Sequence, residues 1–290
     1  MDIDRIGIVG LGLIGGSLAL ALRRARPEVE LLGVDSDAAT RQLALSERAV
    51  SVATALEDAD LASCEMLVLA LPAEPLLALL PQVAARMKPG TVLTDVCGSK
   101  ERICAVAAQQ TRVTFVGGHP MAGTEHRGFK AAHPLLFERA TVVLCPPIGA
   151  GSAHTHAAAA ERVRALWTAV GAEKLLDLSP EVHDEAVTFA SHLPYLAAAA
   201  VVEALRSSDA AQIASELAAG GFRDTTRLAG DGTISGAASL NRFVPGAARK
   251  LARSLRELAE LIDHDATTAL SRLSALAEDR RQMKLPRSQH

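Results

Sequence analysis

A glycine-rich segment near the start of the chain has the residue types needed to hold a phosphate group. Residues 10–15 read GxGxxG, directly after an apolar run and directly before an apolar helical pattern. There Gly10 allows a tight turn, Gly12 leaves room for a pyrophosphate, and Gly15 lets the helix pack against its strand, while the N–H groups of the helix N-terminus face the phosphates. The residues expected to contact a dinucleotide are Gly10, Gly12, Leu13, Ile14 and Gly15.

An acidic residue indicates which dinucleotide the segment would hold. Asp35 ends the second apolar run, at the spacing from the glycines that is typical of a ribose-binding acid. A carboxylate there accepts hydrogen bonds from the adenosine ribose hydroxyls and repels a 2′-phosphate. The pattern therefore predicts NAD as the cofactor rather than NADP. The alternative is a structural glycine turn with an incidental aspartate.

The elements that position these residues are visible as short apolar runs. Five runs in the first half are each separated from the next by a plausible helix, which predicts a doubly wound parallel sheet of the Rossmann type in an α/β fold. A sixth strand is expected at 141–144 and a last edge strand at 173–178. The five runs are residues 6–9, 31–34, 66–69, 92–93 and 113–116.

The second half of the chain has a different pattern. Beyond Ser179-Pro180 no β-rich run recurs, and apolar residues repeat at helical spacing, as in the series 251, 255, 258 and 262. We predict a dinucleotide-binding domain over residues 1–178 and a C-terminal all-α domain over residues 179–290. The leucines and isoleucine of that series are expected to face a core rather than a dimer partner.

Composition excludes several classes of protein. With 49% hydrophobic and 22% charged residues the chain can bury a core, and its net charge of −3 without a basic stripe argues against a nucleic-acid partner. The four cysteines form no CxxC pair, and the first residues are acidic where a signal peptide is basic. The most apolar later run, 193–202, is interrupted by Pro194 and is shorter than the roughly 20 residues of a membrane span. A cytoplasmic protein without a membrane partner is expected.

Further motifs are more specific than the glycines. They are Gly-His-Pro-Met-Ala-Gly-Thr-Glu at 118–125, His183-Asp184, Ser-His-Leu-Pro at 191–194 and Gly-Phe-Arg-Asp-Thr-Thr-Arg at 221–227. With the glycine loop, they make the chain resemble the prephenate and arogenate dehydrogenases of tyrosine biosynthesis over roughly residues 5–262. The resemblance implies NAD-dependent oxidative decarboxylation of prephenate, arogenate or both, and a homodimer formed through the helical domain, which also completes the substrate site.

The resemblance also implies roles for individual residues. His119 would be the base or hydrogen-bond acceptor for the ring hydroxyl, a task that suits an imidazole titrating near neutrality. Arg227 would hold the ring carboxylate, and Asp224 would orient Arg227 or another group of the site. His192 would lie near the nicotinamide or the substrate, and Glu125 would gate the pocket or contact the substrate side chain. For His183-Asp184, a packing role and a direct role are equally open.

The chain departs from the family pattern at three places, one of which is the stretch 228–233 after Arg227, where the aromatic residue often found in the family is lacking. The family has Asp-Val-Gly-Ser-Val-Lys where residues 95–100 read Asp-Val-Cys-Gly-Ser-Lys, so that Gly98 takes the place of a catalytic serine. The role of that serine then falls to Ser99, to Cys97 or to water. Tyr195 replaces a family histidine, and tyrosine carries no positive charge near neutral pH. These departures suggest an altered substrate preference, such as a 4-amino analogue of prephenate.

Two other functions and a metal site were weighed. A β-hydroxyacid dehydrogenase needs a catalytic lysine in the helical half, where only Lys250 and Lys284 occur after residue 174, neither in a suggestive motif. A non-catalytic NAD-binding regulator would have no need of His119 with Arg227. Histidines recur every seven residues at 119, 126 and 133, but the intervening glycines and proline break any shared helical face, so no metal is expected.

Overall fold

The computed structural model describes residues 3–124 and 126–284. Its contacts divide the chain into two compact units, Met1–Asn241 and Arg242–His290. The first unit contains all the strands of the described residues. The strands are β1 Arg5–Val9, β2 Glu30–Val34, β3 Val52–Thr54, β4 Met66–Leu69, β5 Val92–Asp95, β6 Thr114–Val116, β7 Gly118–Pro120, β8 Thr141–Leu144, β9 Ile148–Gly149 and β10 Lys174–Asp177.

Seven strands form the central sheet, in the order β3-β2-β1-β4-β5-β6-β9. All neighbours are parallel except β9, which pairs antiparallel with β6. The strand order reverses at β1, with β2 on one side and β4 on the other, and ligands of open α/β sheets bind at such a reversal. The doubly wound sheet and its five predicted strands are confirmed.

The other three strands form a second sheet, in the order β10-β8-β7. The prediction that β8 and β10 extend the main sheet was therefore wrong. Strand β7, which pairs with β8, was missed because its sequence, Gly-His-Pro, has neither apolar character nor β-branched residues. The two other missed strands, β3 and β9, are only three and two residues long.

Twelve α-helices are present in the described residues. They are α1 Leu13–Ala25, α2 Ala38–Ser46, α3 Ala73–Arg86, α4 Glu101–Ala107, α5 Ala153–Ala169, α6 Pro180–Val187, α7 Leu193–Arg206, α8 Ala211–Glu216, α9 Gly220–Thr226, α10 Gly232–Leu240, α11 Val244–His264 and α12 Ala266–Gln282. A π-helical turn, Thr188–His192, joins α6 to α7.

Two apolar clusters cover the two faces of the central sheet. Alternate residues of a strand point to opposite faces, so Met66 and Val68 enter one cluster and Leu67 and Leu69 the other. The first cluster includes side chains of α1 and α5, and the second includes side chains of α3 and α4. Helices therefore pack on both faces of the sheet. The residues described below lie at its carboxyl edge.

The segment from α6 to α7 is longer than the sequence suggested. Residues 180–206 form one continuous helical run of 27 residues that is long and apolar enough to cross a membrane by length and composition. Pro194 does not end the run; it lies directly after the π-helical turn Thr188–His192, at the second residue of α7. The judgement that this apolar region is too short for a span was thus wrong about its length. Length and composition alone are weak evidence of a span, because core helices of soluble proteins also meet these criteria.

The second unit consists of α11 and α12. Arg272 forms an ion pair with Glu257 at 3.0 Å, and Asp265 caps α12 by accepting from the N–H of Thr268. Leu255 and Ile262 are 58% and 60% exposed, so the prediction that they face a core was wrong for this chain alone. A domain boundary after residue 178 stays a prediction, since the contacts divide the chain after Asn241.

Candidate active site

The glycine loop between β1 and α1 has the shape that a pyrophosphate requires. Gly10 has φ of 94°, and a Cβ there would lie 2.3 Å from the carbonyl oxygen of Ala70. A Cβ on Gly15 would lie 1.9 Å from the carbonyl oxygen of Gly10. Gly12 has no heavy atom within 4 Å of its Cβ position, so its α-carbon faces open space. Two glycines are thus required by packing, and the third leaves room for a ligand.

The groups around this open space are suited to a dinucleotide. The first intrahelical bond of α1 runs from the N–H of Gly16 to the oxygen of Gly12, so the amides of Leu13, Ile14 and Gly15 precede it at the positive end of the helix. Asp35 lies at the same loop, because its Oδ2 accepts from the N–H of Leu11 at 2.8 Å. The residues present therefore fit a pyrophosphate with a ribose beside it.

His119 lies on β7, directly after the carboxyl end of β6. Its Nδ1 is 2.8 Å from Nε2 of His183, and Nδ1 of His183 is 2.7 Å from Oδ1 of Asp184. His119 is partly exposed, whereas His183 and Asp184 are buried at the start of the long helical run. The two rings meet edge to face, with centroids 5.1 Å apart.

The position of each proton in this chain follows from Asp184. An ionised carboxylate only accepts, so His183 donates from Nδ1 and keeps a lone pair on Nε2. That lone pair accepts from Nδ1 of His119, which leaves the lone pair of His119 on its Nε2. The chain of hydrogen bonds thus sets His119 as a base at Nε2.

Asp184 also ties the long helix to the loop after β5. Its carboxylate accepts from the N–H groups of Lys100 at 2.7 Å and Glu101 at 3.0 Å, and from Oγ of Ser99 at 3.1 Å. Burial opposes ionisation, but the hydrogen bonds from His183 and from these two amides hold the pKa of Asp184 below its usual value. The carboxylate is therefore charged at neutral pH.

The pKa values of both candidate histidines are depressed. Burial, followed by repulsion from His183, Lys100 and His192, holds the pKa of His119 well below its usual range. Burial lowers the pKa of His192 to about 4. Both imidazoles are therefore neutral near pH 7, and a neutral imidazole is what a general base must be before it acts.

The loop after β5 carries the two side chains that are candidates for the role of the missing serine. Ser99 is buried and donates to Asp184, and no hydrogen bond joins it to His119 among the described residues. Gly98 instead lies against the catalytic candidate, since a Cβ there would be 3.5 Å from Nε2 of His119. Cys97 is buried, and its N–H donates to Asp95. Ser99 thus contacts Asp184 rather than His119, and its catalytic role stays a prediction.

A buried ion pair fixes this loop to β7. Asp95 and Lys100 form a hydrogen-bonded ion pair whose side chains are both fully buried. The other oxygen of Asp95 accepts from the N–H of Gly118 at 3.0 Å, next to His119. Burial disfavours the charge of Lys100, but Asp95 holds its pKa above the usual value. The pair therefore holds the backbone that carries His119.

His192 ends the π-helical turn, and its Nδ1 contacts the side chain of Asn241. Sequence analysis did not identify this asparagine. Nδ2 of Asn241 lies 3.1 Å from Nδ1 of His192, 2.9 Å from Oγ1 of Thr188 and 2.7 Å from the carbonyl oxygen of Asp184. All four residues are buried. π-helical turns occur frequently at functional sites.

The predicted substrate-binding residues are placed as follows. Arg227 and Asp224 are both exposed, and among the described residues no hydrogen bond or ion pair joins them, so the structure gives no support to Asp224 orienting Arg227. Tyr195 is partly buried in the first turn of α7. Glu125 lies outside the described residues. The roles given to these four residues stay predictions.

No group of three or more His, Cys, Asp or Glu side chains that could hold a metal ion occurs within residues 3–124 and 126–284. The sheet order, the glycine loop and the buried histidine chain together define a dinucleotide-binding domain with a proton-accepting site at its carboxyl edge. This is the arrangement of a dehydrogenase of the Rossmann class.

Comparisons with known proteins identify the family. The chain matches the family described as "Prephenate dehydrogenase, nucleotide-binding domain" over residues 18–176 and that described as "Prephenate dehydrogenase, dimerization domain" over residues 179–275. The prephenate dehydrogenase of Bacillus subtilis (strain 168) is 35% identical over 235 residues, which are 78% of this chain and 60% of that protein. The chain belongs to the prephenate dehydrogenase family.

Two solved structures are similar over nearly their whole length. Synechocystis arogenate dehydrogenase is 31% identical with a TM-score of 0.74, covering 96% of this chain and 98% of that one. The prephenate dehydrogenase of A. aeolicus in complex with hydroxyphenyl propionate and NAD+ is 25% identical with a TM-score of 0.85, covering 98% and 99%. The match with the curated relatives spans about 60% of their length.

Proposed function

We propose that the chain is an NAD-dependent dehydrogenase that oxidatively decarboxylates prephenate, arogenate or both. The observation that carries the proposal is the hydrogen-bond chain Asp184–His183–His119, which leaves an unprotonated Nε2 at the carboxyl edge of the β6 region. Family membership supports the same reaction class.

The chain's residues are suited to each step of that reaction. Nε2 of His119 accepts the proton of the ring hydroxyl, and Asp184 stabilises the imidazolium through His183. NAD held by the glycine loop would supply the acceptor for the hydride that leaves the ring carbon bearing the hydroxyl. The bond to the ring carboxylate then breaks, its electron pair makes the ring aromatic, carbon dioxide leaves, and the carbonyl oxygen regains a proton from His119. Aromatisation makes the sequence irreversible.

The glycine loop and Asp35 are the proposed cofactor-binding residues. The open space at Gly12 and the amides at the start of α1 would hold the pyrophosphate, and Asp35 would accept from the ribose hydroxyls. Leu11 donates to one oxygen of Asp35, which fixes the carboxylate beside the loop. A 2′-phosphate at this point would meet a negative charge.

Arg227 is the proposed clamp for the ring carboxylate. It is exposed and has no hydrogen-bond or ion-pair partner among the described residues, so its guanidinium is available for a bidentate pair with a carboxylate. Asp224, Tyr195 and Glu125 are proposed as further substrate contacts. They rest on the family resemblance and on the sequence motifs alone.

A homodimer is proposed as the working assembly. The matched description of the second half names a dimerization domain. The helical half also exposes large apolar side chains, which a second copy would cover. These include Val182, Phe189, Ile213, Leu217, Leu255, Ile262 and Leu270, each at least 50% exposed. Light scattering after gel filtration would show twice the chain mass, and a monomer at micromolar concentration would contradict the assembly.

The experiment that tests the function is NADH formation by the purified protein with prephenate, arogenate and a 4-amino analogue of prephenate in parallel. Turnover with prephenate or arogenate supports the proposal and decides the side-chain preference. NAD binding is measured separately by calorimetry. Binding without turnover on prephenate or arogenate would overturn the proposal, and turnover on the amino analogue alone would redirect it toward the departures at Gly98 and Tyr195.

A further inference from the structure

We propose that Asn241 is a positioning residue that fixes His192 as the tautomer with its proton on Nε2. His192 then presents a neutral hydrogen-bond donor to an oxygen of the bound ligand. The tautomer follows from the geometry of four buried residues, whereas the donor's use rests on the proposed function. The tautomer depends on the main-chain oxygen of Asp184 and not on the side-chain hydrogen bonds that reach His119.

The orientation of the Asn241 amide is determined by its neighbours. Its Nδ2 lies 2.7 Å from the carbonyl oxygen of Asp184, which can only accept a hydrogen bond. The hydroxyl of Thr188 donates its one proton to that same carbonyl at 2.7 Å, so it can only accept from Asn241. The opposite orientation would place the amide oxygen against the carbonyl oxygen of Asp184, with no proton between them. The NH₂ group therefore faces that carbonyl and the hydroxyl of Thr188.

His192 must then accept from the same NH₂ group. Its Nδ1 lies 3.1 Å from Nδ2 of Asn241, the longest of the three contacts, so two N–H bonds are shared among three acceptors. A nitrogen that accepts carries no proton, and the proton of the neutral ring is on Nε2. Because burial lowers the pKa of His192 to about 4, the neutral ring is the form present near pH 7.

The proton on Nε2 of His192 is available for a ligand. Among the described residues, Asn241 is the hydrogen-bond partner of this ring, through Nδ1, and Nε2 has none. A neutral N–H donor suits a carbonyl or carboxylate oxygen without adding a charge to the site. The carboxamide of the cofactor and a carboxylate of the substrate both have this chemistry.

The experiment is a long-range ¹H–¹⁵N correlation spectrum of the full protein labelled with ¹⁵N-histidine, which distinguishes the two neutral tautomers and the cation. His192→Gln identifies the resonances of His192 by their loss. The expected result for the unmodified protein is protonated Nε2 and unprotonated Nδ1 above about pH 5. A proton on Nδ1 of His192 would overturn the proposal without any variant being needed.

Two variants test whether Asn241 determines the tautomer of His192. Asn241→Asp replaces a donor by a carboxylate that only accepts, so His192 should gain a proton on Nδ1, as the other tautomer or as the cation. Thr188→Val is the matched control, because it removes one acceptor of Asn241 and leaves the bond to His192. An unchanged His192 spectrum in folded Asn241→Asp, or a changed tautomer in Thr188→Val, would contradict the assignment.

Addition of ligands separates the two possible oxygens. A shift of the Nε2 proton on adding NAD alone assigns the donor to the cofactor, and a shift that requires 4-hydroxyphenylpyruvate assigns it to the substrate side. No shift with either ligand, both shown to bind, would overturn the donor's use. If neither prephenate nor arogenate turns over but the tautomer is as expected, the proposed function fails while the role of Asn241 stands.

Discussion

The two candidate histidines are set in opposite states by the same residue. The side chain of Asp184 acts through His183 and leaves His119 with a free lone pair at Nε2. The main-chain oxygen of Asp184 orients Asn241, which leaves His192 with a proton at Nε2. A carboxylate thus makes one imidazole an acceptor, and an amide makes the other a donor. Whether the exposed ring nitrogen of a histidine donates or accepts is set by the hydrogen-bond partner of its other ring nitrogen.

The largest effect on kcat is expected from replacing His119, whose Nε2 is the proposed proton acceptor. His119→Asn should lower kcat by about 10²–10⁴, because it removes the proposed general base. NAD binding, measured by calorimetry, should be unchanged. His154→Asn is the control, since that residue is exposed on α5. Near-normal turnover in His119→Asn would show that the two histidines do not differ in the way proposed.

Asp184→Asn should weaken the hydrogen-bond chain from Asp184 to His119 and leave the contact between Asn241 and His192 intact. A hydrogen bond to a charged group is worth about 1.5–3 kcal/mol, so kcat should fall roughly 10- to 100-fold. The main-chain oxygen is retained, so the His192 tautomer should not change in the ¹⁵N spectrum. Loss of that tautomer in a folded Asp184→Asn protein would show that the state of His192 depends on the side chain of Asp184 as well as on its main-chain oxygen.

Acid should destabilise the protein through the buried His192. The pKa of His192 is lowered to about 4 in the folded chain, so between about pH 6.5 and 4 the unfolded chain binds more protons and stability falls as pH falls. From pH 7 to 5 the free energy of unfolding should drop on the order of 1–2 kcal/mol from this residue. Urea titrations at several pH values measure the slope, and His192→Gln should reduce it; an equal slope would contradict the shift.

The smallest effect on the chemical step is expected at Asp35, which contacts neither histidine. Asp35→Ala should raise KM for NAD about tenfold and relax discrimination against NADP, because it removes the ribose acceptor and its charge. With saturating cofactor kcat should be unchanged, and so should both histidine tautomers. An unchanged preference for NAD over NADP would show that Asp35 does not contact the ribose.

Sequence reasoning succeeded where the signal is local. The five strands, the glycine turn between β1 and α1 and the place of Asp35 after β2 each follow from one short stretch, where spacing and hydrophobic pattern are sufficient. That these glycines and Asp35 bind the cofactor stays a prediction. Sequence reasoning left the role of Asp184 open and did not identify Asn241, because their contacts join residues far apart in the sequence. The pair His183-Asp184 directly after the helix start at Ser179 was a visible signal, but nothing local shows which loop it would meet. The second sheet was missed because Gly-His-Pro lacks the pattern of a strand, and because nothing local shows that β8 and β10 pair away from the main sheet.

The bonds from Asp184 to residues 99–101 have a consequence for how activity arises during folding. They span 83 to 85 positions of the chain. Contacts of such long range form late, because the entropy of closing the intervening loop is lost before they contribute. On refolding of the whole chain, the central sheet can therefore form before His119 has its partner. We expect recovery of turnover on refolding to follow the docking of α6, because the proposed base His119 gains its partner His183 only when that helix is in place.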